Sequence, residues 1–323
     1  MKHPLELNPA EYVMPLDAQM KSVLDQLAAA KQPPFHRMTP EEARRQMARR
    51  AAPEQQVPSI SIADRVVPGP GGDVPVRIYT PEGAGPFGAL VYYHGGGWVL
   101  GNIGMTDLPC RLLAKASGCI VVSVDYRLAP EHKFPAAVED CYAALKWLVE
   151  NAASVNCDPS RIAVGGTSAG GNLSAAVALM ARDRGGPRVA FQLLVYPATR
   201  RELDTNSHRQ FASDDYYILS RADMEWFWNH YLASTDDAAN PYACPDRAAT
   251  LKGLPSAFVI TAEFDPLRDE GEAYAARLRE EGVLSVVKRY NGVTHGFFGM
   301  PLQIDQAKHA IEEAAAALRV AIG

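Results

Sequence analysis

Arg161-Ile162-Ala163-Val164, then Gly166-Thr167-Ser168-Ala169-Gly170, then the helix-forming run 169–182 together decide the fold. A short apolar, β-branched run reads as a buried strand. A Gly-x-Ser-x-Gly turn that follows a strand and opens a helix presents its serine on a sharp corner. The flanking glycines let the backbone turn without a Cβ clash, and the helix N-terminus places a positive dipole end beside the serine. The same rhythm repeats outward from this point. Apolar runs at 89–93, 119–124, 191–195, 257–261 and 285–290 are mostly separated by helix-like stretches at 106–117, 138–152, 169–183, 269–281 and 303–320. Buried strands alternating with helices predict an α/β protein with a parallel sheet covered on both faces. Two earlier runs, 60–67 and 74–79, alternate apolar and polar residues and read as antiparallel strands around a Gly-rich turn, giving eight strands in all. Pro75 places the second near its strand start or at a sheet edge.

Two segments break this rhythm. Residues 1–52 read as amphipathic helices parted by Pro33-Pro34, the second opened by Pro40 at its first position, with Thr39 as N-cap and Glu42 completing a capping box. The run 199–250 needs no strand and is rich in aromatics, including Tyr216, Tyr217, Trp226, Phe227, Trp228 and Tyr231. A structureless loop of that length is implausible, so it is expected to be a helical insertion over the sheet. The chain therefore divides into N-terminal cap helices (1–52), a first catalytic part (53–198), a cap insertion (199–250) and a second catalytic part (251–323).

The glycine-rich segment His94-Gly95-Gly96-Gly97-Trp98 follows the run 89–93. Consecutive glycines leave backbone N–H groups free to converge on one point, as a developing oxyanion requires. Gly95 and Gly96 are the expected donors, with the Ala169 N–H as a third. His94 is expected to fix the loop rather than carry protons. Downstream, Asp265 and His295 each lie beyond the end of an apolar run, where open α/β sheets place their sites. The order Ser168, Asp265, His295 fits a nucleophile, an acid that orients the base, and the base. Glu263 is the alternative acid. Asp269 reads as a helix N-terminal carboxylate, and His309 as a mid-helix surface or packing residue. Trp98, Tyr216, Trp226 and Trp228 are candidates for a substrate pocket, although packing within the cap explains the insertion aromatics equally well.

Composition narrows the function classes. The chain has 323 residues, 47% hydrophobic and 21% charged, with a formal net charge of −5. No basic stripe with interleaved aromatics points to nucleic acid. The basic run Arg44-Arg45-Gln46-Met47-Ala48-Arg49-Arg50 reads as a solvated helix face. Five cysteines without CxxC spacing argue against a disulfide framework or structural zinc. No secretory signal and no membrane-length apolar run is visible, so a soluble, cytoplasmic protein is expected. Gly83-Ala84-Gly85-Pro86-Phe87-Gly88 matches a dinucleotide fingerprint in letters only: it precedes a strand and contains a proline. No cofactor and no metal are implied.

Taken together, HGGGW at 94–98, DYRLAPEHKFPA at 125–136, GTSAGGN at 166–172, DPLRDEG at 265–271 and HGF at 295–297 resemble the bacterial hormone-sensitive-lipase-like (family IV) carboxylesterases, a branch of the α/β-hydrolase superfamily. The resemblance runs from about residue 89 to 298. It implies an eight-stranded, mostly parallel sheet, a helical cap built from the N-terminus and the mid-chain insertion, and hydrolysis of short- to medium-chain carboxylic esters without a cofactor. It also implies a small-molecule ester as substrate, and members are often homodimers. Many members carry Asp where this chain has Thr167; here it resembles the GTSAG subgroup, which has Thr at that position. Two other classes fit the fold: a small-molecule receptor, whose mark is loss of the triad histidine, and an amidase or peptidase with the same triad.

Overall fold

The apolar runs fold as strands because both of their faces are covered. The protein is described by a computed structural model, which covers residues 15–49, 59–211 and 216–323. Residues 1–14 and 50–52 of the expected N-terminal cap, and the side chains of Arg49 and Arg50, lie outside the described residues. The strands are β1 (Ser61–Gly69), β2 (Gly72–Thr80), β3 (Phe87–Tyr93), β4 (Ile120–Val124), β5 (Cys157–Thr167), β6 (Phe191–Val195), β7 (Ser256–Phe264) and β8 (Ser285–Thr294). They form one sheet in the order β1-β2-β4-β3-β5-β6-β7-β8. β1 and β2 form an antiparallel hairpin, β2 meets β4 antiparallel, and the other neighbours run parallel.

Side-chain alternation along β3 sorts residues into two cores. Ala89, Val91 and Tyr93 join one, while Leu90 and Tyr92 join the other. The helices are α1 (Ala18–Ala29), α2 (Pro40–Arg49), α3 (Asp107–Ser117), α4 (Ala136–Glu150), α5 (Ala169–Asp183), α6 (Asn206–Gln210), α7 (Arg221–Tyr231), α8 (Arg268–Glu280) and α9 (Asp305–Ile322). The core with Ala89 is closed by α4, α5 and α8, and the core with Leu90 by α1, α3 and α9. In α9 the buried positions Ala307, Ala310, Ile311, Ala314, Ala315, Leu318 and Ile322 repeat at helical spacing and form one apolar stripe.

Pro75 is neither on an edge strand nor at a strand terminus. It lies inside β2 and pairs with Val66 of β1. Its carbonyl accepts from the Asp125 N–H at 2.9 Å, so its ring nitrogen faces the β4 side. The β4 ladder begins only at Val76, so the missing N–H breaks no ladder bond.

The N-terminal helices and the insertion meet over the carboxyl ends of the strands. The Thr39 N–H donates to Glu42 Oε2 (2.8 Å) and the Glu42 N–H to Thr39 Oγ1 (3.3 Å), which starts α2 at Pro40. Asp223 caps α7 through Ser220 and also accepts from the His36 N–H at 2.9 Å. Phe35 packs on Phe227 at 5.7 Å. The basic face of α2 is only partly solvated. Arg44 donates to the Val99 carbonyl (2.9 Å), the Ala129 carbonyl (2.8 Å) and Glu131 (2.7 Å). Its planar fork matches two carbonyls and a carboxylate at once, which a lysine could not do.

Candidate active site

Ser168 sits alone between β5 and α5 with φ 57° and ψ −119°, a strained backbone for a residue with a side chain. Neighbours hold it there. Its N–H donates to the Val195 carbonyl at 2.8 Å, and its carbonyl accepts from the Asn172 N–H at 2.9 Å. The two flanking glycines are required by close approach. A Cβ at Gly166 would lie 2.2 Å from the Tyr93 carbonyl oxygen, and one at Gly170 would lie 1.9 Å from it. Backbone on both sides leaves no room to yield. Gly170→Ala is therefore expected to cost about 4 kcal/mol, the range reserved for severe core clashes. Chemical denaturation against wild type checks this.

Asp265 and His295 follow β7 and β8 directly, because both strands run longer than their apolar centres. Phe264 pairs with Thr294 across the last rung, so the next residues on the two strands emerge side by side. His295 Nδ1 lies 2.7 Å from Asp265 Oδ2, and His295 Nε2 lies 2.9 Å from Ser168 Oγ. Asp265 is buried, and its Oδ1 accepts from the Leu267 N–H at 2.8 Å. An ionised carboxylate only accepts, so it places the ring proton on Nδ1 and leaves Nε2 free to accept from the serine hydroxyl. Glu263 Oε2 instead accepts from the Gly292 N–H at 2.7 Å. Asp269 sits in the first turn of α8, and His309 is exposed on α9.

Gly95, Gly96 and Ala169 border the same space as Ser168. Among the described residues their N–H groups have no protein acceptor. Gly96 has φ 117°, and a Cβ there would lie 2.2 Å from the Leu100 carbonyl oxygen. The Val99 and Leu100 N–H groups both donate to the Gly96 carbonyl, which folds the loop back on itself. His94 braces it: Nδ1 donates to the Gly95 carbonyl at 2.7 Å and the ring stacks on Tyr126 at 4.2 Å. Burial pushes the His94 imidazole down to about 4, so it stays neutral and apart from proton transfer.

A cavity of about 700 Å³ opens above Ser168. Its walls come from α1, the 35–47 segment, the 104–109 segment at the start of α3, the 218–227 segment and the 295–303 segment. Trp98 lines it, with φ 60° and its ring stacked on Tyr231 at 4.3 Å. The other three aromatic candidates are not among the lining residues. Trp228 is fully buried behind Trp98, 4.4 Å away. Trp226 packs on His230 at 4.3 Å. The Tyr216 hydroxyl donates to Asp25 Oδ1 at 2.9 Å, tying the insertion to α1. The reason is helical phase. α7 turns Met224 and Phe227, three residues apart, toward the cavity, so positions 226 and 228 point to its flanks. That spacing was readable in the sequence, but the face that would meet the cavity was not. Phe227 also fills the place a Cβ on Gly97 would take, 2.1 Å from its ring.

A strand-turn-helix serine, a carboxylate and a histidine from the ends of β7 and β8, and unpaired glycine N–H groups in the same cavity define a hydrolase-type site on a doubly covered α/β sheet. A family model of the alpha/beta hydrolase fold matches residues 90–299, and the chain belongs to that family. It is 42% identical to the carboxylesterase NlhH of Mycobacterium tuberculosis over 287 residues, 87% of this chain and 89% of that protein. It is 44% identical to the carboxylic ester hydrolase LipN of the same organism over 256 residues, 77% of this chain and 67% of that protein. Among solved structures, a hyperthermophilic esterase from the archaeon Pyrobaculum calidifontis superimposes with a TM-score of 0.90 at 44% identity. That match covers 95% of this chain and 99% of the other.

Proposed function

We propose that the chain is a serine carboxylesterase acting on short- to medium-chain carboxylic esters. Ser168 Oγ attacks the ester carbonyl carbon while His295 Nε2 takes its proton. Asp265 keeps the imidazole in the required tautomer and stabilises the imidazolium. The N–H groups of Gly95, Gly96 and Ala169 receive the oxyanion. As the intermediate collapses, the C–O bond to the alcohol breaks and His295 returns the proton to the leaving oxygen. Water then attacks the acyl-Ser168 ester with His295 again as base, which releases the acid and restores the serine.

The observation that carries this reading is the continuous Ser168–His295–Asp265 contact chain, at 2.9 and 2.7 Å, beside unpaired glycine N–H groups. The esterase names of the relatives support ester over other acyl substrates. Residues 15–49, 199–211 and 216–250 act as the cap that shapes the apolar cavity. Five buried, unpaired cysteines support a reducing, cytoplasmic setting, and among the described residues no helix is long and apolar enough to cross a membrane. A homodimer is part of the same reading.

The test compares a p-nitrophenyl ester with the matched p-nitroanilide. The ester is expected to turn over faster by about 10²-fold or more, because amide release depends on general-acid help that esters need less. Equal rates would instead identify an amidase.

A further inference from the structure

The insertion does more than roof the cavity. Its short helix α6 is bolted to the loop that carries Asp265. Ser207, fully buried, donates its hydroxyl to the Pro266 carbonyl at 2.7 Å. The Ser207 N–H donates to Asp269 Oδ2 at 2.7 Å, and the Asp269 N–H returns a bond to Ser207 Oγ at 3.3 Å. One serine therefore holds the turn on both sides of Leu267. Within that turn the Leu267 N–H binds Asp265 Oδ1, and the Arg268 N–H donates to the Asp265 carbonyl at 3.1 Å.

Next to Ser207, a second buried contact backs the first. His208 Nε2 lies 3.3 Å from Glu270 Oε2, and both side chains are fully buried. Glu270 Oε1 accepts from the Thr199 N–H at 2.6 Å, at the root of the insertion. His208 Nδ1 lies 2.7 Å from Thr205 Oγ1. Burial pushes the His208 imidazole down to about 4 and the Glu270 carboxyl up. Asp265 and Asp269 act against the His208 shift, and Arg200 and Arg221 act with it. The contact ties α6 to α8, the helix that follows the Asp265 turn.

We propose that Ser207, backed by the buried His208–Glu270 contact, is a positioning residue for the triad: by holding the Pro266 carbonyl it sets Asp265 at hydrogen-bond distance from His295. This rests on the triad reading above. The cap insertion and the triad acid are therefore one mechanical unit. A shift of the acid by a fraction of an ångström lengthens a charge-assisted bond that matters most when the imidazolium forms.

The test pairs kinetics with the far-downfield proton signal of the His295 Nδ1–H. Asp265→Asn assigns that signal by abolishing it. Ser207→Ala is expected to lower kcat by about 10- to 100-fold with KM changed less than about twofold, and to move or broaden the signal. Tyr142→Phe is the control. It removes a part-buried hydroxyl bond to the Gly186 carbonyl, which joins α4 to the segment after α5, and should lower stability while leaving kcat and the signal alone. If Ser207→Ala does not fold, Asp269→Asn weakens the same staple and should give the same signs at smaller amplitude. Unchanged kcat and an unchanged signal in the folded variant overturn the proposal. A wild-type enzyme with no signal sensitive to Asp265→Asn removes the triad reading, and this inference with it.

Discussion

Ser168→Ala is expected to lower kcat/KM on a short p-nitrophenyl ester by about 10³-fold or more, with the fold intact. The hydroxyl oxygen lies 2.9 Å from His295 Nε2, within reach of the base that would take its proton. Alanine occupies the same corner with the same φ of 57°, so the strain is unchanged and the neighbouring N–H groups stay in place. What remains is the background rate from the oxyanion donors and substrate binding. A folded variant that keeps the wild-type rate would show that the serine is not the nucleophile. An organophosphonate that labels wild type but not the variant, read by mass spectrometry, gives the same answer independently of turnover.

Asp265→Asn is expected to lower kcat by about 10⁴-fold, because an amide can donate to Nδ1 and so stabilise the tautomer that presents the wrong nitrogen state to the serine. The amide fits the space of the carboxylate, and one of its atoms can still accept from the Leu267 N–H, so the loop is preserved. Glu263→Gln is the informative companion. Its carboxylate accepts from the Gly292 N–H, and a glutamine oxygen can do the same, so kcat should change by less than about threefold. Measured on folded protein, a reversal of the two effects would pass the role of acid to Glu263.

The eight strands, the strand-turn-helix serine and the positions of Asp265 and His295 were legible because each depends on a local pattern. Continuous apolar runs need two covering layers, and a serine between glycines needs a corner with no Cβ. Strand lengths were less legible. β7 and β8 run past their apolar centres to Phe264 and Thr294, since a strand continues as long as its partner offers backbone bonds, whatever its side chains. Trp226 and Trp228 show a different limit. Their aromatic character was visible, but α7 presents Met224 and Phe227 to the cavity instead. Arg44 looked like one charge among several in a solvated run, yet it binds two backbone carbonyls of the sheet domain. Ser207 carried no signal at all.

By itself the sequence determined the layer architecture, the corner that presents Ser168 and the glycines that free the loop beside it. Those features follow from steric and solvation rules that act over a few residues. Only the tertiary structure decided which carboxylate meets His295, which face of α7 closes the cavity, why Gly97 must yield to Phe227, and how α6 locks the Asp265 turn. Each of these joins residues far apart in the chain. Their pairing depends on strand register and helix phase at packed interfaces, quantities that no single segment encodes alone.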